Sequence, residues 1–401
     1  MMLSAFILNA RAGDAPRNPQ YKIVAYYIAW GPERQYTPLD IDGTLITHLN
    51  YAFADIRQGE VAVAEPDKEI RAWNNFAKLR QLKKAHPRLK TLISVGGWTH
   101  SKEFSNVALT STSRAKFANS AVAFIRRYGF DGVDIDWEYP VSDGDPGNAK
   151  RPEDKRNYTL LLQALRSKLD SAGLEDHASY LLSTAISTVP SFLDNTEMDK
   201  VARIVDYVNI MTYDFSGHWN AYAGHLAPLY VDPAIARKDI PHPSSVSSAI
   251  DKTIDAGVPP EKLVMGMPFY GYSWKDCGSE NNGQNQDCGG KGSGTWEDGT
   301  LTYTDIADRL VNKNGFVRYW NDATKTPYLF NPQTKEFITY DDEKSIAEKV
   351  KYLQANQLGG AMFWEITGDR KFSLQKTLAS SLRSSGAQTP GSSLVSRSGP
   401  P

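Results

Sequence analysis

The sequence predicts an α/β protein: a (β/α)8 TIM barrel with a small α+β insertion subdomain between strands 7 and 8. Three observations lead to this prediction. The 401 residues are 41% hydrophobic and 23% charged, which is ordinary for a globular protein with a large core. Short runs of β-branched and aromatic residues alternate with longer amphipathic runs, a pattern typical of parallel βαβ units. One gap between two such runs is too long for a plain βα unit.

Eight runs are interpreted as barrel strands because each is short and rich in β-forming residues. They are Lys22–Ile28, Thr47–Phe53, Leu89–Val95, Gly132–Asp136, Tyr180–Ile186, Val205–Met211, Lys262–Met267 and Gly359–Trp364. Apolar residues at i, i+3 and i+4 predict helices between them, such as Asp67–Ala85, Thr112–Tyr128, Pro152–Ala172 and Glu343–Asn356. Right-handed crossovers would close the barrel, with its active site at the C-terminal ends of the strands.

The insertion is predicted over residues 272–342, which contain the strand-like pieces LTYTDI, FVRYW, PYLFN and FITY. The catalytic barrel would then comprise residues 21–271 and 343–383. Residues 1–20 are interpreted as an N-terminal extension that could be a signal remnant, since they have an apolar patch and a cleavage-like Ala10-Arg11-Ala12 but no basic n-region. Residues 384–401 are rich in Gly, Ser and Pro and predict a disordered tail or linker stub.

Charge and composition narrow the class of partner. Lys plus Arg number 45 against 46 for Asp plus Glu, so the basic footprint of a nucleic-acid binder is missing. No apolar run reaches the roughly 18 residues of a transmembrane helix, so no membrane span is expected. Nine Trp and 20 Tyr residues supply rings of the kind that stack on sugar faces. An uncharged partner is therefore predicted.

The only two cysteines, Cys277 and Cys288, flank the polar segment CGSENNGQNQDC. In an oxidising compartment they could close this loop as a disulfide, and the alternative is two free thiols. A zinc site would need more ligands than the pair offers. No metal and no cofactor is predicted.

The fourth run, FDGVDIDWEYP, places Asp134, Asp136 and Glu138 at i, i+2 and i+4. On a strand these side chains share one face, and the intervening apolar residues would face the helices. Burial and mutual repulsion disfavour charging all three acids, so the outermost, Glu138, could stay protonated near neutral pH as a general acid. The alternatives are a solvated strand face and a divalent cation held by the carboxylates.

At this point the chain resembles glycoside hydrolase family 18, the chitinases and their relatives, whose signature is DxxDxDxE. Supporting segments occur in the same order along the chain: VAYYIAW on the first strand, NYAF on the second, ISVGGW on the third, NIMTYDF on the sixth, MPFYGYSW on the seventh and AMFWEI on the eighth. The insertion before the eighth strand resembles that of the deep-cleft branch of the family.

The resemblance implies retaining hydrolysis of β-1,4-linked N-acetylglucosamine, in which the substrate's own acetamido oxygen is the nucleophile and an oxazolinium ion forms. Glu138 would protonate the glycosidic oxygen and later activate water. Asp136 would orient the acetamido group, and Tyr213 would donate its hydroxyl to the acetamido oxygen. Asp134 would hold Asp136 and tune its proton. Carboxylate separation does not predict stereochemistry in such an enzyme.

The resemblance also implies the sugar-binding residues. Trp364 would form the hydrophobic floor under the sugar at the cleavage point. The other contacts implied are Tyr26, Phe53, Met211, Trp30, Trp98, Trp219, Asp214 and Tyr270. Without the family match, a Trp at a strand end is by base rate more often packing than a ligand platform.

Four residues of the matched motifs are interpreted as structural support: Asp131, Ser94, Gly96 and Gly97. One departure from the family pattern is Tyr272, which stands where many deep-cleft relatives have Arg after the Tyr-Gly pair. A cationic sugar contact would be lost there. The acid, Asp136 and Tyr213 would be unaffected.

The function predicted is a secreted, extracellular chitinase that acts as a monomer on chitin and chitooligosaccharides. Two alternatives stay open. One is a noncatalytic chitin-binding lectin on the same barrel, against which the retained Glu138 argues. The other is an endo-N-acetylglucosaminidase acting on N-glycan cores, against which the insertion and the aromatic run argue.

Overall fold

A closed parallel barrel forms the main part of the molecule. The computed structural model describes residues 21–233 and 244–384. The predicted extension, 1–20, and the predicted tail, 384–401, lie outside the described residues except for Ser384, which ends a helix. The strands are β1 (Lys22–Ile28), β2 (His48–Arg57), β3 (Glu60–Val63), β4 (Lys90–Gly96), β5 (Gly132–Asp136), β6 (Leu181–Ile186), β7 (Tyr207–Ile210), β8 (Leu263–Pro268), β9 (Tyr270–Lys275), β10 (Gly290–Lys291), β11 (Thr300–Thr302), β12 (Val317–Asn321), β13 (Thr326–Asn331), β14 (Glu336–Thr339) and β15 (Gly360–Trp364). Around the barrel the order is β1, β15, β8, β7, β6, β5, β4 and β2, and β2 pairs with β1 to close it.

Alternation along each barrel strand separates an outer core from an inner one. In β1, Ile23, Ala25 and Tyr27 belong to the apolar cluster beneath the helices, whereas Val24 and Tyr26 belong to the cluster inside the barrel. This is the period of two expected of a strand whose two faces are both buried. Residues that point into the barrel are therefore the candidates for chemistry at its mouth.

The helices lie between or after the strands along the chain, and most of them connect strands of the barrel. They are α1 (Asn75–Ala85), α2 (Phe104–Ala108), α3 (Ser111–Tyr128), α4 (Asp154–Asp176), α5 (Pro190–Asp194), α6 (Met198–Ile204), α7 (Val246–Asp255), α8 (Tyr303–Asp305), α9 (Glu343–Ala355) and α10 (Ser373–Ser384). Helix α3 shows why the sequence specifies such bounds. The Thr110 hydroxyl accepts the Ser113 N–H at its start, and Gly129, at φ 81°, ends it. Within the described residues, no helix is long and apolar enough to cross a membrane.

A second, antiparallel sheet lies in the chain between β8 and β15. Its order is β10, β9, β14, β13 and β12, with β11 paired to β9. Trp274, Phe330 and Phe337 are buried in it and share one apolar cluster with barrel residues such as Tyr26. The predicted barrel with an α+β insertion between its seventh and eighth strands is confirmed.

The prediction that MPFYGYSW lies on the seventh barrel strand is wrong for its second half. Barrel strand β8 ends at Pro268, and Tyr270 begins β9 of the second sheet. The Phe269 N–H donates to the Trp364 carbonyl, and the chain then turns away from the barrel. The second sheet therefore starts two residues before the predicted boundary at residue 272.

Two further predicted elements are interrupted. The predicted helix Asp67–Ala85 is a π-helical turn, Asp67–Ala72, followed by α1, because Asn74 has a positive φ of 54°. The strand-like piece LTYTDI is a strand only to Thr302. The Thr302 side chain accepts the Asp305 N–H and so starts a helical turn.

Candidate active site

Asp134 lies on the inner face of β5 and is fully buried. The strand register places Ser94 of β4 and Ser183 of β6 directly beside it. Its carboxylate accepts four hydrogen bonds: from Tyr26 Oη at 2.8 Å, Ser94 Oγ at 2.7 Å, Ser183 Oγ at 2.6 Å and Asn209 Nδ2 at 3.3 Å. Burial raises the pKa of Asp134, and these hydrogen bonds oppose the rise. Asp134 is thus held rigidly below the cavity.

Asp136 follows Asp134 by two residues on the same face of β5, nearer the C-terminal end of the strand, and is only 4% exposed. Its Oδ1 has no hydrogen-bond partner among the described residues. Burial raises the pKa of Asp136 well above its ordinary value, and the charges of Glu138 and Asp134 raise it further. Asp134 therefore acts on Asp136 through its charge, and Asp136 itself lines the cavity above.

Glu138 follows β5 at the C-terminal mouth of the barrel, where it is half-buried and lines the cavity. Its main chain is fixed on both sides, since its N–H donates to Ser101 Oγ at 2.9 Å and its carbonyl accepts from Asn148 Nδ2 at 2.7 Å. Burial raises the pKa of the Glu138 carboxyl to about 7; a hydrogen bond from Tyr139 opposes this rise, and the charge of Asp214 adds to it. A substantial share of Glu138 is therefore protonated at neutral pH, as a general acid requires.

A cavity of about 860 Å³ opens above this acid stack. It is lined by eleven of the predicted site residues: Asp136, Glu138, Tyr213, Trp364, Tyr26, Phe53, Trp30, Trp98, Met211, Asp214 and Trp219. An adjoining cavity of about 410 Å³ is lined by Tyr270, Tyr272 and Trp296. Trp30, Asp214, Trp219 and Trp364 line both cavities, so the two form one continuous cleft.

Aromatic rings surround the centre of this cleft. The Trp364 ring lies 5.6 Å from both Tyr26 and Phe53, stacked on the latter at 20°. The Tyr213 hydroxyl lies 3.8 Å from the sulfur of Met362 and is buried inside the barrel. A flat, apolar ring beside buried hydroxyl and carboxyl groups is the arrangement that binds a sugar ring by its face and its polar edge.

Asp214 is the acceptor for two tyrosines. The Tyr270 hydroxyl donates to Asp214 Oδ1 at 2.5 Å, and a hydrogen bond from Tyr272 joins it. Burial raises the pKa of Asp214, and the two hydrogen bonds lower it. Tyr272, at the position where the resemblance implies an arginine, thus donates a hydrogen bond to Asp214.

The predicted support residues lie outside the cavity. Gly96 and Gly97 have φ values of 110° and 73°, and a Cβ on Gly96 would stand 2.1 Å from the Asp136 carbonyl oxygen. Only glycine fits there. Asp131 precedes β5 at the opposite end of the barrel, where it accepts from the Thr91 N–H at 2.7 Å and pairs with Lys83 at 2.7 Å. Asp131 therefore does not reach the cleft.

Sequence reasoning missed several lining residues. Tyr139, which follows Glu138, lines the cavity and is not among the predicted site residues. Trp296 and Glu297 line the adjoining cavity, and Trp296 is 53% exposed with Arg34 over its ring. An exposed tryptophan within the Gly- and Ser-rich segment KGSGTWEDGT was the signal that could have identified it.

Two structural facts concern the other predictions about the site. Cys277 and Cys288 are joined as a disulfide. Within residues 21–233 and 244–384, no group of three or more His, Cys, Asp or Glu side chains is arranged to hold a metal ion.

Comparison with known proteins gives one consistent result. Residues 22–369 match the model of the family described as glycosyl hydrolases family 18. Chitinase A1 of Niallia circulans is 44% identical over 97% of this chain and 62% of its own length, so this chain spans less than two thirds of that relative. Chitinase ChiA74 from Bacillus thuringiensis superposes with a TM-score of 0.86 at 42% identity, over 91% of this chain and 70% of that one. The Group IV chitinase of Ostrinia furnacalis in complex with allosamidin gives 0.84 at 31% identity, over 92% and 100%.

Proposed function

The chain belongs to the glycosyl hydrolases family 18, and we propose that it is a chitinase that hydrolyses β-1,4-linked N-acetylglucosamine chains with retention of configuration. The observation that carries this proposal is Glu138, a half-buried carboxyl with its pKa raised to about 7 at the centre of an aromatic-lined cleft. The chitinase relatives support chitin as the substrate class.

In the proposed first step, the Glu138 proton passes to the glycosidic oxygen as the bond from that oxygen to the anomeric carbon breaks. The acetamido oxygen of the same sugar attacks the anomeric carbon and closes an oxazolinium ring, so no protein nucleophile is needed. Glu138, now ionised, then takes a proton from the water that opens the ring. The raised pKa of Glu138 suits both roles near neutral pH, because neither protonation state is strongly disfavoured.

Asp136 is proposed to bind the acetamido N–H and to stabilise the positive charge of the oxazolinium ring. Its position in the lining of the cavity, next to Glu138, supports this role. Tyr213 is proposed to donate its buried hydroxyl to the acetamido oxygen. In a buried site such fixed groups stabilise developing charge more strongly than water does.

Trp364 is proposed as the apolar platform beneath the sugar at the cleavage point, because it lines both parts of the cleft beside Tyr26 and Phe53. Trp30, Trp98, Trp219, Met211, Asp214 and Tyr270 are proposed to contact neighbouring sugars. We further propose that the protein acts outside the cell as a monomer, since a chitin polymer is too large to enter one.

The test is a time course on N-acetylglucosamine tetramer and hexamer with the products resolved by anomer. The proposal predicts early release of the β-anomer. Binding without cleavage would contradict hydrolysis and favour the lectin alternative. Failure both to bind and to cleave these oligomers would make N-glycan cores the next substrate to test.

A further inference from the structure

The loop after β7 forms one wall of the cleft and carries Trp219 at its tip. Trp219 is 56% exposed and lines both parts of the cleft. The root of the loop is tied to the barrel, because the Thr212 hydroxyl donates to the Gly266 carbonyl at 2.7 Å. Its neck is closed by the Phe215 N–H, which donates to the Leu226 carbonyl at 3.0 Å. Neither contact holds the tip itself.

The tip is held by the segment between the two cysteines. The Ala223 N–H donates to the Gln286 carbonyl at 2.9 Å, and the Ala223 carbonyl accepts from the Asn285 N–H at 2.8 Å. The Cys288 N–H donates to the Ala221 carbonyl at 2.9 Å. An antiparallel bridge between Tyr222 and Asp287 lies within this ladder. Residues 221–223 and 285–288 therefore form a short two-stranded ribbon of their own.

The segment 277–288 has little regular secondary structure. Besides the ribbon, it is held by the buried side chain of Gln284, which is hydrogen-bonded to His225, Asn321 and Tyr328. The single 3-10 turn of the segment, Glu280–Gly283, contains two asparagines with positive φ, Asn281 and Asn282. Ribbons this short are marginal alone, and such asparagine- and glycine-rich segments are flexible when unconstrained. The disulfide closes this segment at both ends, with Cys288 inside the ribbon.

The other end of the disulfide is fixed in the second sheet. Cys277 is 1% exposed, and its N–H donates to the Lys335 carbonyl at 2.9 Å. It belongs to the same buried cluster as Trp274, whose ring N–H donates to the Asn220 carbonyl at 3.1 Å, beside Trp219. The disulfide thus joins a rigid anchor to the ribbon that carries the Trp219 loop.

We propose that the Cys277–Cys288 disulfide is a positioning element that fixes Trp219 against the cleft, so that long chitin chains bind tightly. The inference rests on the proposed function for its substrate. Trp219 packs on Tyr272 with ring centroids 5.2 Å apart, and its ring covers Gly217, where a Cβ would stand 2.2 Å from it. These contacts and the Trp274–Asn220 hydrogen bond orient the ring, and the ribbon adds the main-chain hydrogen bonds that keep the following residues, 221–223, against the second sheet.

The first experiment compares wild type with C277S/C288S on the N-acetylglucosamine hexamer. We expect KM to rise about three- to tenfold, the loss expected when one aromatic contact is no longer held in place, and kcat to stay within about twofold. Hydrogen exchange should become faster in residues 217–226 and stay unchanged in the barrel strands. If the double variant does not fold, wild type reduced with a phosphine, which converts the disulfide into two thiols, replaces it.

A double-mutant cycle with W219A separates positioning from general destabilisation. The proposal predicts that removing the disulfide raises KM in the Trp219 background and has little further effect in the W219A background. R318A is the matched control, since Arg318 contacts Asp342 at the far edge of the second sheet and should lower the melting temperature without changing KM.

Additive effects of the cysteine and Trp219 changes on KM would overturn the proposal, as would an unchanged KM after the disulfide is removed. The exchange measurement does not depend on substrate. If residues 217–226 lose protection but wild type does not cleave chitin oligomers, the proposed function fails while the structural part of the inference stands.

Discussion

The floor and the rim of the cleft are built by opposite means. The acid floor is Asp134, Asp136 and Glu138, of which the two aspartates are almost completely buried. The aromatic rim is Trp98, Trp219 and Trp296, each about half exposed, at 50%, 56% and 53%. The register of three neighbouring strands orients Asp134 at the base of the floor, whereas the three rim tryptophans all lie in loops.

Under the proposed function, the floor carries out the chemical step and the rim binds the chain. Electrostatic stabilisation of a transition state needs fixed groups in a region that excludes water, which the floor supplies. Recognition of a polymer needs exposed apolar area spread along its length, which the rim supplies. We therefore expect changes in the floor to lower the rate of the chemical step and changes in the rim to weaken binding.

The largest expected effect is that of E138Q. The amide keeps the shape of the side chain but cannot donate and recover a proton, so kcat on the hexamer should fall by a factor of about 100 to 10,000. Binding of the hexamer, measured by calorimetry, should change little. E297Q is the matched control because Glu297 lines the adjoining cavity, and it should retain turnover. Substantial hydrolysis by E138Q would contradict its role as the acid.

A second change, W364A, tests the residue that joins floor and rim. Removing the ring should lower kcat/KM by about 30-fold, the loss typical of a central aromatic contact in a binding site. W364F should recover part of this loss because a smaller ring can still stack. Kinetics of W364A indistinguishable from wild type would show that the sugar does not rest on Trp364.

The pH dependence of activity tests the protonation state of Glu138, one of the three acids of the floor. In the proposed mechanism Glu138 must be protonated to act, so kcat/KM should fall as the pH rises through the Glu138 pKa of about 7. The negative charge of Asp214 raises this pKa, so D214N should move the basic limb of the kcat/KM profile to lower pH. D308N, which removes a carboxylate on the far outer surface beside Lys371, should leave the limb in place. A basic limb that moves to higher pH in D214N would contradict this assignment.

The smallest effect is expected at the rim. Trp98 stands edge-on to Tyr139, with ring centroids 6.4 Å apart, and half of it is exposed. W98A should raise KM for the hexamer about threefold and leave kcat unchanged, since one partly exposed ring contributes about 0.5 to 1.5 kcal/mol. A fall in kcat larger than the rise in KM would break the division between floor and rim.

Of all parts of the site, the acid floor is the one that the sequence predicts best. A strand repeats every two residues, so the spacing of Asp134, Asp136 and Glu138 already places them on one side. The apolar residues between them confirm which side is outward, because Val133, Ile135 and Trp137 are buried beneath the helices. Strand β5 therefore has the predicted bounds, Gly132–Asp136.

The rim and its support could not be predicted in the same way. Residues 221–223 pair with residues 285–288, more than sixty positions further along the chain. Neither segment has a periodic sequence pattern from which this pairing could be predicted. Strand β9 was missed because Tyr270–Lys275 continues the β-forming composition of β8, and only the turn at Phe269 separates the two sheets. Non-local contacts of irregular segments leave no local signal.

The most direct test of the division between floor and rim is a paired measurement on E138Q and W219A. The dissociation constant for the hexamer and the rate of a single turnover at saturation are measured for both variants. We predict that E138Q loses the rate and keeps the dissociation constant of wild type, whereas W219A keeps the rate and binds several times more weakly. A single-turnover rate in W219A reduced as far as in E138Q would contradict the account.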